Sequence, residues 1–126
     1  MRNLLVYLEY DGTNYHGWQI QPEDITVQKT VEDAIYKIFK EKISVNGCSR
    51  TDAGVHAKKY ALSFRTECKI PSDKVCIALN TALPYDIRAN FCAEVKDDFH
   101  ARFDTVSKTY QYIINNGRYD VFMRNY

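Results

Sequence analysis

Ile43-Ser44-Val45-Asn46-Gly47-Cys48-Ser49-Arg50-Thr51-Asp52-Ala53-Gly54-Val55-His56-Ala57-Lys58-Lys59-Tyr60-Ala61-Leu62-Ser63-Phe64-Arg65-Thr66 is the stretch whose reading decides the fold. Its first part, residues 43–48, reads as a short strand. Its last part, residues 59–66, alternates, with Tyr60, Leu62 and Phe64 on one face and Ala61, Ser63 and Arg65 on the other. That period of two marks a half-buried strand. Between the two lies a polar loop with Gly47 and Gly54 on either side of Asp52. The glycines let the backbone take positive φ and let other groups come close. Two strands in direct succession, with helical patterns on both sides, set the order of everything else.

Outward toward the N-terminus, residues 3–10 are rich in Leu, Val and Tyr and read as a strand that Asp11-Gly12 ends. A polar loop runs to about residue 25. Thr26 can cap a helix, and Val27, Val31, Ile35, Ile38 and Phe39 follow at near-helical spacing. Outward toward the C-terminus, Pro71-Ser72 opens a second helix carrying Val75, Leu79 and Leu83, and Pro84 stops it. Ile87, Ala89, Phe91, Ala93 and Val95 then alternate with Arg88, Asn90, Cys92 and Glu94, which predicts a strand buried on the first set's side. The order β-α-β-β-α-β predicts an α+β fold, a ferredoxin-like antiparallel sheet with two helices on one face. It is complete by about residue 96. Residues 1–96 are therefore expected to form one domain that carries the Asp52 loop. Residues 97–126 read as a linker and the first strand or strands of a second domain that is otherwise absent. That C-terminal extension has a strand pattern over residues 109–114 and a hairpin-type turn at Asn116-Gly117.

Composition bounds the class. The chain has 126 residues, 45% of them apolar, enough for one domain with a real core. No apolar run reaches the roughly 18 residues that a membrane-spanning helix needs. Met1-Arg2-Asn3 leads straight into a strand-like segment holding Glu9 and Asp11, unlike a secretory leader. The four cysteines, Cys48, Cys68, Cys76 and Cys92, form no Cys-x-x-Cys pair, so a zinc site is not expected. Reduced thiols in a cytoplasmic protein, mostly as small core residues, are the simplest expectation. A net charge of +1 does not announce nucleic-acid binding. Locally, Arg50, Lys58, Lys59, Arg65 and Lys69 outnumber Asp52 and Glu67, which suits a basic face around the loop. A solvated strand edge dotted with lysine would look the same.

Asp52, beside Arg50 and ahead of His56, has the make-up of a nucleophile or base, because loops on a rigid sheet are where chemistry tends to sit. The plainer alternative is a polar connection in which Asp52 binds its own backbone as an Asx-turn. The order of residues favours chemistry. Arg50-Thr51-Asp52-Ala53-Gly54-Val55-His56-Ala57 resembles the catalytic motif of the TruA-type tRNA pseudouridine synthases. Three more segments are similar to that family: Tyr10-Asp11-Gly12-Thr13-Asn14-Tyr15-His16-Gly17-Trp18-Gln19 with Gln21-Pro22; Thr26-Val27-Gln28; and Phe99-His100-Ala101-Arg102-Phe103-Asp104 with Ser107-Lys108-Thr109-Tyr110-Gln111-Tyr112.

The resemblance implies a reaction. The N1–C1′ bond of a uridine is cut, the base is turned, and it is rejoined through C5. This is an isomerisation, so no cofactor or metal is implied. The family makes Asp52 the essential carboxylate, attacking C1′ or removing a proton from C2′. It suggests that Arg50 holds the flipped base or fills its place, and it gives Tyr110 the stacking face for the uracil. His100 and Arg102 are expected to contact substrate, with Arg102 a phosphate ligand, and His56 to contact substrate phosphate or orient the loop, a hydrogen-bonded structural histidine being the alternative. Trp18 is expected to pack over the sheet. The implied partner is tRNA, with the target uridine on the 3′ side of the anticodon stem-loop. The full-length protein is expected to be a homodimer with a second domain across the cleft. The alternative is an RNA-binding module without catalysis, like the RRM, whose sheet aromatics stack bases. Tyr60 and Phe64, beside Lys58 and Lys59, would be its platform.

Overall fold

The computed structural model of the protein describes residues 1–101. Its four strands are β1 (Arg2–Tyr10), β2 (Asn46–Gly47), β3 (Ala57–Thr66) and β4 (Ile87–Val95). Helix α1 (Val27–Phe39) joins β1 to β2, and α2 (Ser72–Ala82) joins β3 to β4. The sheet order is β2-β3-β1-β4, and every pairing is antiparallel. This is the α+β arrangement expected of the β-α-β-β-α-β order. The expected C-terminal strand and hairpin lie outside the described residues.

Local chemistry sets the elements. Thr26 caps α1 by accepting from the Lys29 N–H at 3.3 Å. Val27, Val31 and Ile35 from α1, and Val75 and Leu79 from α2, bury against Leu4, Val6, Leu8, Leu62 and Phe64 of the sheet. All ten are at most 1% exposed. The helices therefore cover one face, and Tyr60 and Phe64 point into that core. They are not available as an open stacking platform. Trp18, at 3% exposure, packs on the Tyr60 ring with centroids 4.3 Å apart.

Two elements differ from the sequence reading. The strand expected over residues 43–48 shrinks to Asn46–Gly47. Upstream of it, Glu32 of α1 accepts from the Val45 N–H at 3.0 Å, so a helix side chain takes over what a ladder would have done. The second difference is a β-bulge. Tyr7 pairs with Phe91, yet Leu8 pairs with Ala89, leaving Asn90 without a partner in β1. An extra residue inverts the alternation. Ile87 and Ala89 face the core as expected, but beyond the bulge Cys92 packs against it. Phe91 is thrown to the opposite face and is 46% exposed. The Asn80 side chain of α2 pins the bulged strand, donating to the Ala89 carbonyl at 2.9 Å and accepting from its N–H at 2.8 Å.

After β4, residues 96–101 turn back over the sheet. Asn3 donates to the Lys96 and Phe99 carbonyls at 2.9 and 2.8 Å, and Ser63 accepts from the Ala101 N–H at 3.0 Å. This explains why Ser63, on the face away from the helices, is buried.

Candidate functional site

The Asp52 loop begins where β2 ends, at the Cys48 N–H bond to the Ala61 carbonyl (2.9 Å), and runs to the start of β3. Its base is a set of buried aromatics. The Tyr60 hydroxyl donates to the Ser49 carbonyl, and the Tyr10 hydroxyl lies 2.9 Å from Thr51 Oγ1. Burial pushes the Tyr10 hydroxyl up to about 12, and burial likewise raises Tyr60. Both therefore stay protonated hydrogen-bonding groups at neutral pH.

The other wall is the connection between β1 and α1. The Trp18 N–H donates to the Thr51 carbonyl at 3.2 Å, and the Gly54 N–H donates to the Tyr15 carbonyl at 3.1 Å. The Tyr15 hydroxyl in turn donates to Asp86 at 2.6 Å, which ties this wall to the start of β4. Two glycines make the approach possible. A Cβ on Gly12 would overlap the Val55 carbonyl, and one on Gly17, which also has φ +80°, would overlap the Thr51 carbonyl.

His56 closes the loop. Its Nδ1 accepts from the Gly12 N–H at 2.9 Å and lies 3.0 Å from the Asp11 carboxylate. Asp11 itself caps a single 3₁₀ turn (Gly12–Asn14), accepting from the Thr13 N–H at 3.0 Å and from the Thr13 hydroxyl at 2.5 Å. These two bonds from Thr13 hold its carboxyl below the usual carboxylate range.

The loop tip is a tight turn. The Val55 N–H donates to the Asp52 carbonyl at 3.2 Å, and Gly54 supplies the positive φ, +80°, that a type II turn takes at its third residue. Only backbone closes this turn. Among the described residues, no group hydrogen-bonds or ion-pairs with the carboxylate of Asp52 or the guanidinium of Arg50. Both side chains are exposed. The Asx-turn alternative therefore describes Asp11, not Asp52. Beside Arg50 lies a small depression of about 150 Å³, lined by Trp18, Gln19, Gln28, Asn46 and Ser49.

Asp52, Arg50 and His56 thus share one loop, with His56 holding it and Asp52 presented. His100 is elsewhere. It borders a cleft of about 430 Å³ with Asn3, Glu41, Lys42, Arg65 and Asp97. β3 lends Arg65 to that cleft, while the Asp52 loop enters β3 at Ala57. Eight residues along the strand separate these points, roughly 26 Å. Tyr110 and Arg102 lie outside the described residues. The sequence reading missed the supports: Tyr10, Tyr15, Thr51, Asp11 and the paired glycines. Gly12 and Gly17, flanking a polar loop, were the available signal.

Three comparisons bear on this geometry. A family model described as tRNA pseudouridine synthase matches residues 7–104. A protein named tRNA pseudouridine synthase A from Thermoanaerobacter sp. (strain X514) is 47% identical over all of this chain and 52% of its own length. One of the same name from Clostridium acetobutylicum is 54% identical over 92% of this chain and 48% of its own length. The chain spans about half the length of the curated relatives it matches.

Proposed function

The chain belongs to the tRNA pseudouridine synthase family, and from that premise we propose that it carries the catalytic loop of an enzyme that isomerises uridine to pseudouridine in tRNA. The observation that carries this reading is the state of Asp52. A loop anchored at Tyr10, Tyr15, Trp18 and His56 presents a carboxylate that no described group engages. A structural carboxylate would be expected to hold something, as Asp11 holds Thr13. A reactive one must be held by its backbone and left open to substrate.

In the proposed reaction Asp52 attacks C1′ or takes the C2′ proton, the N1–C1′ bond breaks, and the freed uracil turns and bonds through C5. The C5 proton leaves and N1 gains one, so the product is an isomer and no co-reactant is consumed. A uridine inside a stem must first be flipped out, at a cost of roughly a few kcal/mol. Arg50, exposed two residues before Asp52, is suited to fill the vacated place or hold the flipped base. Tyr110 is proposed as the stacking face, and Arg102 and His100 as RNA contacts. A homodimer in the cytoplasm acting on the 3′ side of the anticodon stem-loop completes the reading. No helix among the described residues is long and apolar enough to cross a membrane.

The test is liquid chromatography with mass spectrometry of nucleosides from the tRNA of cells that lack the gene and then regain it, either unsubstituted or as Asp52→Asn, the two isomers of equal mass being told apart by retention and fragmentation. The unsubstituted gene should restore pseudouridine. Asp52→Asn keeps the shape and removes the ionised oxygen, so turnover should fall by roughly a thousandfold or more while tRNA binding stays. Restoration by the Asn variant would end the assignment of Asp52.

A further inference from the structure

Resting on the tRNA reading above, we propose that the sheet face turned away from the helices carries a base-stacking site for single-stranded or looped RNA, formed by Tyr7, Phe91 and Lys59. Tyr7 and Phe91 are cross-strand partners on β1 and β4. Their rings stack with centroids 5.2 Å apart and planes 27° from parallel. Lys59 places its Nζ 4.6 Å from the centre of the Tyr7 ring. Phe91 is 46% exposed although it is a large apolar residue inside a strand.

A single exposed aromatic is ordinary. This one is exposed because of the bulge: with Asn90 in the ladder as a regular strand residue, the alternation would turn Phe91 into the core. Two stacked rings with a cation over one of them offer a flat π surface beside a positive charge. That is what a base joined to a phosphate requires, and such stacking tolerates any base. The cation that serves a phosphate is the one on the rings. Lys58, Lys59 and Arg88 are exposed at this end of the sheet, where the acids Glu9, Asp11 and Asp86 also lie, and of these charges Lys59 is the one seated over an aromatic ring. Position favours the same strand of RNA that reaches Asp52. Tyr7 is three residues along β1 from Tyr10, whose hydroxyl holds Thr51, roughly 10 Å of strand. The site thus takes a nucleotide near the target uridine, with no hydrogen-bond readout of its identity.

The experiment measures binding of the purified 126-residue chain to three probes by fluorescence anisotropy: an RNA hairpin with a seven-nucleotide loop, a uridine-rich single strand, and a blunt duplex. The first two should bind more tightly than the duplex. Phe91→Ala and Phe91→Leu should each weaken binding about tenfold, and Phe91→Trp should hold it. Lys59→Gln should reduce the slope of log affinity against log salt by about one. Photo-crosslinking of 4-thiouridine in the single strand to the unsubstituted chain should fall on the peptides holding Tyr7 or Phe91, which guards against a variant that fails to fold. Crosslinks elsewhere, unchanged affinity in both Phe91→Ala and Phe91→Leu, or no RNA binding at all would each overturn the site. Retained binding in Phe91→Leu but not Phe91→Ala would mean that shape and apolarity suffice, as for a protein partner, and would also overturn it. Pseudouridine in tRNA from the gene-restored cells, measured alongside, separates the two readings. Crosslinks at Tyr7 or Phe91 with no pseudouridine restored by the unsubstituted gene sink the enzyme reading and keep the site; restored pseudouridine with normal RNA binding by the Phe91 variants does the reverse.

Discussion

At the residue scale, the loop depends on backbone conformation and on buried hydroxyls more than on its polar side chains. Gly17 and Gly54 have the same φ of +80° but different surroundings: a Cβ on Gly54 meets nothing within 4 Å, while one on Gly17 meets the Thr51 carbonyl. Gly54→Ala should therefore cost only the left-handed conformation, about 1–2 kcal/mol, and Gly17→Ala should cost clearly more and displace the loop. Urea denaturation of the two variants checks the order; equal losses would show that the contact with Thr51 is slack. Tyr10 gives the loop a pH limit. Its hydroxyl, pushed up to about 12 against an unfolded value near 10, keeps its proton in the folded state. A raised folded value contributes stability that is fully present below about pH 10 and is lost as the pH rises toward 12. The urea midpoint should fall across that window, and Tyr10→Phe should flatten part of the fall, Tyr60 and Tyr15 supplying the rest. The exposed loop that holds Asp52 and Arg50 was legible in sequence because its residue order is distinctive. Asp11 was legible only as a turn former, and its contact with His56 was not, because a bond between residues far apart in the chain leaves no mark on local spacing.

At the element scale, periodicity located both helices and β3, since each buries one continuous face, composition located β1, and alternation located β4 but not its phase. Thr26 and Pro84 placed boundaries for reasons of backbone bonding. What periodicity could not supply was the phase beyond an insertion. Asn90 interrupts β4, and Asn is a poor strand former, which was the faint local hint. The bulge holds because Asn80 satisfies both backbone groups of Ala89 from α2. Asn80→Ala removes two bonds from an edge strand and should cost about 1–3 kcal/mol. If the bulge relaxes with it, Phe91 leaves the open face, and RNA binding should weaken along with stability. A loss of stability with unaltered RNA affinity would show that the bulge stands without its clamp. The shortness of β2 has a similar origin: Glu32 takes the Val45 N–H, and no pattern within residues 43–48 announces a ligand from a helix.

At the scale of the whole molecule, the sheet keeps its two faces for different work. One is sealed under α1 and α2, and the other carries the aromatic pair. The Asp52 loop is clamped where β1 ends and β3 begins. A chain with net charge +1 can hold RNA only through such local placement. The clamp itself has a consequence for how the protein comes into being. Its bonds join residues 41 and 44 positions apart, Tyr10 to Thr51 and Gly12 to His56. Closing a span of that length costs entropy that local helix formation does not, and it must be met before any of these contacts form. The Asp52 loop is therefore assembled only once β3 has found β1, so a half-folded chain does not present that carboxylate in its final place. The protein also carries its own witness to that event. Its one tryptophan, Trp18, lies wedged between Tyr60 and the loop backbone at Thr51. In refolding from urea, Trp18 fluorescence should reach its final value in step with the appearance of sheet in the far-ultraviolet circular dichroism, and later than helix. A tryptophan signal that settles with the helices would mean that the loop closes before its sheet exists.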